Sequence, residues 1–178
     1  MARRILVTGG VRSGKSRHAE GLLADAGVVT YVAPGPVYDD EDWAARVAVH
    51  RARRPATWST AETRDVAGAL RATTGPVLVD CLGTWLNAVI DEAGLWEAPV
   101  DVVEEHVLGL TSQIGAALAV RDGDDPPVVL VTNEVGLGVV PDHRSGRLFR
   151  DLLGAVNQRV GAVCDEVHLV VAGRVLKL

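Results

Sequence analysis

"ILVTGGVRSGKSRHAE", Ile5 to Glu20, sets an apolar run against a glycine-rich turn and then a helix-forming stretch. Gly9, Gly10, Val11, Arg12, Ser13, Gly14, Lys15 and Ser16 fit the pattern G-x-x-x-x-G-K-[ST], which works only between a strand and an amphipathic helix, and that is where it sits. The glycines let successive backbone N–H groups point into an anion-sized hollow. Lys15 brings an ammonium to the outer phosphates, and the Ser16 hydroxyl is able to ligate Mg²⁺. Arginine supplies nearly all of the positive charge in this chain, yet one of its two lysines is Lys15. A compact ammonium suits this position and a planar guanidinium fork does not. The stretch therefore predicts a nucleoside triphosphate site in a P-loop NTPase-like α/β fold.

Working outward, short Val/Ile/Leu-rich runs recur at Arg3–Gly9, Val28–Ala33, Pro76–Cys81, Pro127–Asn133 and Glu166–Gly173. Near-continuous apolar runs of this length suit strands buried on both faces of a parallel sheet. Between them Val103, Val107, Leu110, Ile114 and Leu118 fall three or four apart, as do Phe149, Leu152, Val156, Val160 and Val163, so each segment carries one helical stripe. The alternation predicts a mostly parallel sheet with helices on both faces and ligands gathered after Val7, Val32, Val79 and Val131. Ala33–Asp40, Asp91–Pro99 and Arg121–Pro127 read as surface loops. None is long enough to divide the 178 residues, so one P-loop α/β domain over 1–178 is expected.

Composition narrows the class. At 48% apolar and 23% charged the chain is globular, and no apolar run approaches the roughly 18 residues that span a membrane. The N-terminal apolar stretch is short and lacks a cleavage site, so it reads as a first strand rather than an export signal. Cys81 and Cys164 read as two reduced thiols, and a cytoplasmic protein is expected. A net charge of −5 argues against a general nucleic-acid binder.

Asp80, closing the third apolar run, fits the second acid that holds the Mg²⁺ shell in such sites; a helix cap or turn residue is the plainer alternative. His50 is followed by Arg51, Arg53 and Arg54, a local cationic cluster on a chain that is acidic overall. A solvated basic helix end explains the cluster. So does a nucleophile: a neutral imidazole, well populated near its ordinary pKa of about 6.5, attacks phosphorus while arginines neutralise the phosphate oxygens.

At these residues the sequence resembles the bifunctional adenosylcobinamide kinase/adenosylcobinamide-phosphate guanylyltransferases of cobalamin biosynthesis. The resemblance runs nearly end to end. Ile5–Glu20, His50–Pro55 with "TWSTAE" at Thr57–Glu62, "VLVDCLGTWLNAVI" at Val77–Ile90, "LVTNEVGLGVVP" at Leu130–Pro141, "RLFRDLLGAVNQRV" at Arg147–Val160 and "DEVHLVVAG" at Asp165–Gly173 carry it. It implies phosphorylation of the aminopropanol hydroxyl of adenosylcobinamide with ATP or GTP, then transfer of GMP from GTP to the new phosphate through a guanylylated histidine. That histidine falls on His50. The implied nucleotide contacts fall on Gly9–Ser16, on Ala33, Pro34 and Gly35, on Arg51, Ala52, Arg53 and Arg54, on Glu62 and on Asp80, with Ser16 and Asp80 toward Mg²⁺. The resemblance also implies a homo-oligomer, with a trimer suspected.

The chain departs from the family pattern at Pro34, where a small hydroxyl residue is common, and at Gly83, where threonine is common. Two other readings stay open: a kinase only, with His50 as a charged helix end, or a non-catalytic GTP-binding switch. Asn133 and Glu134 fit either a ligand site or a cap, and Arg144, Arg147 and Arg150 either a solvated stripe or a phosphate contact. His18 and His168 read as structural, Trp43, Trp58, Trp85 and Trp96 as packing anchors, and His106 and His143 have no evident partner.

Overall fold

The computed structural model describes residues 4–36, 48, 54–121 and 125–178. In chain order these form β1 (Arg4–Thr8), α1 (Lys15–Leu22), β2 (Thr30–Ala33), β3 (Ser59–Glu62), α2 (Val66–Ala72), β4 (Val77–Asp80), α3 (Leu82–Glu92), α4 (Val100–Ala119), β5 (Val128–Val131), α5 (Arg144–Gly161), β6 (Glu166–Val171) and β7 (Arg174–Lys177). The strands join in one sheet in the order β3-β2-β4-β5-β1-β6-β7. Every pair is parallel except β6 with β7.

The central strands are buried on both sides, as their apolar runs require. Val77, Val79, Val128 and Leu130 pack with Leu86, Val107 and Leu153 of the helices on one face. Leu78, Val129 and Val131 alternate to the other face, against Ala19 and Leu23 at α1. Each fully buried aliphatic side chain stabilises the fold by about 1.5–3 kcal/mol, so the two layers fix which face of the sheet α1 covers. The predicted stripes are the packing faces: Val103, Val107, Ile114 and Leu118 are buried on α4, and Leu152, Val156 and Val160 on α5.

Several expectations shift. β2 begins at Thr30 rather than Val28, which is exposed. The Asp91–Pro99 loop starts two residues late, because Asp91 and Glu92 belong to α3. In the Arg121–Pro127 loop, Arg121 is buried and its guanidinium donates to the carbonyls of Leu70 (3.2 Å), Thr73, Gly75 (3.4 Å) and Pro126 (3.3 Å). It supplies donors to carbonyls that the end of α2 leaves unpaired. Burial pulls its pKa down, and Asp125 works against that pull. Asp122, Gly123 and Asp124 lie outside the described residues.

β1 and β6 are clamped at their starts. Asp165 accepts from the Arg4 backbone N–H (2.8 Å), Nε (3.2 Å) and Nη2 (2.7 Å). The Arg4 side-chain and backbone hydrogen bonds hold the Asp165 carboxyl below the usual carboxylate range. A depressed folded-state pKa gives stability that is full above the unfolded value, about 3.9, and is lost as pH falls through the folded value. Asp165→Asn is therefore expected to lower the melting temperature by about 2 °C at pH 7, the modest effect of a partly exposed pair. The gap from the parent should narrow as the pH drops below about 4. Thermal melts at both pH values check this, and an equal gap at both would show that charge is not the cause.

Candidate nucleotide site

β1, β2, β4 and β5 are parallel, so Thr8, Ala33, Asp80 and Val131 end on one edge, as expected. Register aligns Val7 with Val131 and Val131 with Asp80. Asp80 is thus not on the strand beside β1; β5 lies between them. The acid lies one strand further away than a neighbour would.

The loop from β1 into α1 has the backbone its sequence requires. Gly14 caps α1 with φ +97°, a region open chiefly to glycine, and Arg12 turns the chain with φ 55°. Lys15 Nζ donates to the Gly10 carbonyl at 3.1 Å, which lays the ammonium along the loop. Two further segments brace the loop: the Glu134 N–H donates to Gly9 O (3.1 Å) and the Gly173 N–H to Ser13 O (2.8 Å). Thr8 Oγ1 and Ser13 Oγ are buried without a hydrogen-bond partner among the described residues. Unpaired buried hydroxyls are costly in a core and fitting beneath a loop that receives a polar ligand.

Asp80 accepts from the Tyr31 hydroxyl at 3.1 Å through Oδ2. Tyr31 is buried, and the Arg54 guanidinium lies over its ring, 3.6 Å from the centroid, while donating to Thr60 Oγ1 at 3.0 Å. Burial, then the Asp80 charge, push the phenol far up, and Arg54 offsets this in part, so Tyr31 stays a neutral donor. Ala33 registers with Glu62 at the end of β3. Pro34 is buried, and Gly35 approaches Thr84 so closely that a Cβ there would sit 3.1 Å from Oγ1. The edge thus collects Gly9–Ser16, Asp80, Ala33–Gly35 and Glu62, with Arg54 docked on Tyr31. His50, Arg51, Ala52 and Arg53, together with Trp43, lie outside the described residues.

Asn133 and Glu134 are both occupied within the chain. Asn133 Oδ1 accepts from the Cys81 thiol at 3.5 Å, and Glu134 Oε1 from the Gly136 N–H at 2.6 Å. A Cβ at position 83 would fall 2.6 Å from Asn133 Oδ1, so the departure from threonine to Gly83 leaves Asn133 its place. Both thiols are free, and burial raises each, Cys164 to about 12. Sequence reasoning missed Asn157, which accepts from Thr132 Oγ1 (2.6 Å) and donates to Asn133 O (2.9 Å), fixing the chain just past β5. An asparagine within the apolar spacing of α5 was the available signal. Arg144, Arg147 and Arg150 each donate to main-chain carbonyls, at Trp96 and Ala98, at Pro141 and Asp142, and at Gly136, and Arg147 is exposed. His18 and His168 bond each other at 2.8 Å, and His143 pairs with Asp142.

A cleft of about 460 Å³ opens elsewhere, between α2, α3 and α4, lined by Trp85, Glu92 and His106 among others, and none of the expected site residues lines it. The described residues contain no helix long and apolar enough to cross a membrane and no cluster of three or more His, Cys, Asp or Glu able to hold a metal.

A strand that runs into a glycine loop, a left-handed glycine cap, a lysine laid along the loop and an acid on the same sheet edge together define a P-loop nucleotide-binding α/β protein. The fold is shared with an ATPase of the type III secretion system of pathogenic bacteria: TM-score 0.56, 13% identity, 94% of this chain and 50% of that one. The chain belongs to the cobinamide kinase / cobinamide phosphate guanyltransferase family, which it matches over residues 5–178. It is 44% identical over 181 residues to the bifunctional adenosylcobalamin biosynthesis protein CobU of Salmonella typhimurium and 41% over 179 to that of Escherichia coli, covering 98% of both chains in each case. It is 37% identical over 177 residues to the bifunctional protein CobP of Pseudomonas aeruginosa, covering 96% of this chain and 94% of that one.

Proposed function

We propose that this chain phosphorylates adenosylcobinamide from ATP or GTP and then transfers GMP from GTP to the new phosphate, giving adenosylcobinamide-GDP. The observation that carries the reading is the family match over 5–178, joined to a phosphate loop whose backbone has the required turns. In this reading the N–H groups of Gly9–Ser16 and the Lys15 ammonium bind the triphosphate and take up negative charge as a phosphoryl group leaves. Ala33–Gly35, Arg51–Arg54 and Glu62 hold the rest of the nucleotide.

Ser16 and Asp80 are hard oxygen donors of the kind Mg²⁺ takes, and the buried Thr8 hydroxyl at the end of β1, without a partner among the described residues, fits a polar occupant. When bound, Mg²⁺ supplies charge neutralisation on the phosphate oxygens. In the second half-reaction an imidazole nitrogen of His50 attacks the α-phosphorus. A P–N bond forms as the bond to pyrophosphate breaks. The substrate phosphate then attacks the same phosphorus, and the P–N bond breaks to return the histidine. Two easier displacements replace one hard one. The protein is read as a cytoplasmic homo-oligomer, a trimer; sedimentation as monomer alone would remove the trimer.

The test is to incubate the protein with GTP labelled on the α- or the γ-phosphate and denature it. Retained α-label that is acid-labile and alkali-stable is expected, in line with a phosphoramidate. Phosphorylated cobinamide without protein-bound α-label would leave a kinase alone. Tight GTP binding with turnover of neither label would leave a switch.

A further inference from the structure

We propose that Tyr31 is a positioning residue that ties the acid of the nucleotide site to Arg54; the inference rests on the function proposed above. One rigid, buried ring makes both contacts. Its hydroxyl donates to Asp80 Oδ2 at 3.1 Å, and its face carries the Arg54 guanidinium at 3.6 Å. The ring itself cannot wander: Tyr31 pairs with Thr60 of β3 on one side and Leu78 of β4 on the other, and it packs in the layer under α1 with Val29, Leu78 and Cys81. Arg54 is held at a second point by Thr60, the residue in register with Tyr31.

The consequences follow from the chemistry of each contact. A phenol hydroxyl donating to Oδ2 fixes the rotation of the Asp80 carboxyl group, which is how an outer partner orients a metal-binding carboxylate. A guanidinium over an aromatic face is held in place by the ring quadrupole. Arg54 comes four residues after His50 in the chain. It thereby ties the end of the cationic run to the ring that orients Asp80. Any displacement of the ring is felt at both places.

Two variants separate the contacts. Tyr31→Phe keeps the ring and removes the hydroxyl; Tyr31→Leu removes both. Mn²⁺ binding to the protein complex with α,β-methylene GTP, which cannot give up its α-phosphate, is followed by the paramagnetic resonance of free Mn²⁺. Tyr31→Phe is expected to weaken Mn²⁺ binding about tenfold with metal-free nucleotide affinity unchanged. Tyr31→Leu is expected, beyond that, to acquire α-label from GTP about tenfold more slowly than Tyr31→Phe at saturating metal. Unchanged Mn²⁺ affinity in Tyr31→Phe overturns the assignment, as does a loss of metal-free nucleotide binding in step with melting temperature, the mark of a merely structural role. Equal labelling of the two variants overturns the link to Arg54. If Tyr31→Leu does not fold, the Phe variant decides the role toward Asp80, and a labelling rate unchanged in Arg54→Lys overturns the link. A parent protein that takes no α-label defeats the proposed function, while the Mn²⁺ measurement still tests Tyr31.

Discussion

His50→Ala is expected to retain no α-label from GTP, a fall of at least about a thousandfold, while transfer of the γ-phosphate to cobinamide continues. The asymmetry comes from what each half-reaction asks of the protein. γ-Transfer joins two substrates directly, so the phosphate loop and Lys15 need only position the nucleotide and neutralise charge. GMP transfer, in the proposed two-displacement form, needs a side chain that forms a bond to phosphorus and later leaves it. An alanine offers no lone pair, and no neighbouring histidine can take over, because Val49 precedes His50 and Arg51 follows it. Counting α-label on denatured protein, beside a cobinamide phosphorylation assay on the same preparation, checks the split. Parent-level α-label in the variant would place the guanylyl group on another residue. Loss of both activities would point to a fold or nucleotide-binding defect instead.

The parts of the fold that could be read from sequence are those where one physical demand dominates. Val77–Val79, running into Asp80, and Val128–Val131 read as central strands because near-continuous apolar runs of this length suit burial on both faces of a parallel sheet. The stripes on α4 and α5 followed from their spacing. β3 was missed because Ser59, Thr60, Ala61 and Glu62 carry no alternation; it is an exposed edge strand paired with β2. β7 was missed for a different reason. Its hairpin turn places Ala172 at φ 49° and Gly173 at φ 75°, a two-residue turn whose first position usually announces itself with asparagine, aspartate or glycine. With alanine there the turn signal is half absent, although tertiary contact supports the turn through the bond from Gly173 to Ser13.

The site divides along the same line. Gly9–Ser16 declared itself because phosphate binding by backbone N–H groups leaves few choices of residue. Asp80 was legible as an acid after an apolar run, but not its strand's place two away from β1, since strand order is set by packing between segments distant in sequence. Tyr31 lies within an apolar run that offers no local sign of a polar role; only the fold shows that its hydroxyl reaches Asp80. The three arginines of α5 illustrate the converse. Spacing placed them on one helical face, but their partners are carbonyls of loops at 96–98 and 136–142, which no local pattern encodes.

Gly9→Ala is expected to weaken GTP binding at least about a hundredfold and to lower stability by about 1–3 kcal/mol. The Cβ it adds would stand 2.4 Å from the Val170 carbonyl oxygen and 2.7 Å from Ser13 Oγ. Ser13 has a side chain that is able to rotate, but Val170 is main chain in β6, which is paired with both β1 and β7. Relief must therefore come from the loop lifting off the strand end, and the loop is the element whose N–H groups have to converge on phosphate. A displacement of about 1 Å is enough to undo such convergence. Stability and binding should fall together, since the Glu134 N–H bond to Gly9 O would be strained by the same movement. Gly21→Ala is the control: it lies in α1, its added Cβ meets nothing within 4 Å, and helix propensity predicts a gain of about 0.5–1 kcal/mol. Calorimetric titration with GTP and thermal melts of both variants decide the matter. Parent-like affinity in Gly9→Ala would mean that β6 yields to the methyl group and that the loop's shape does not depend on contact with Val170.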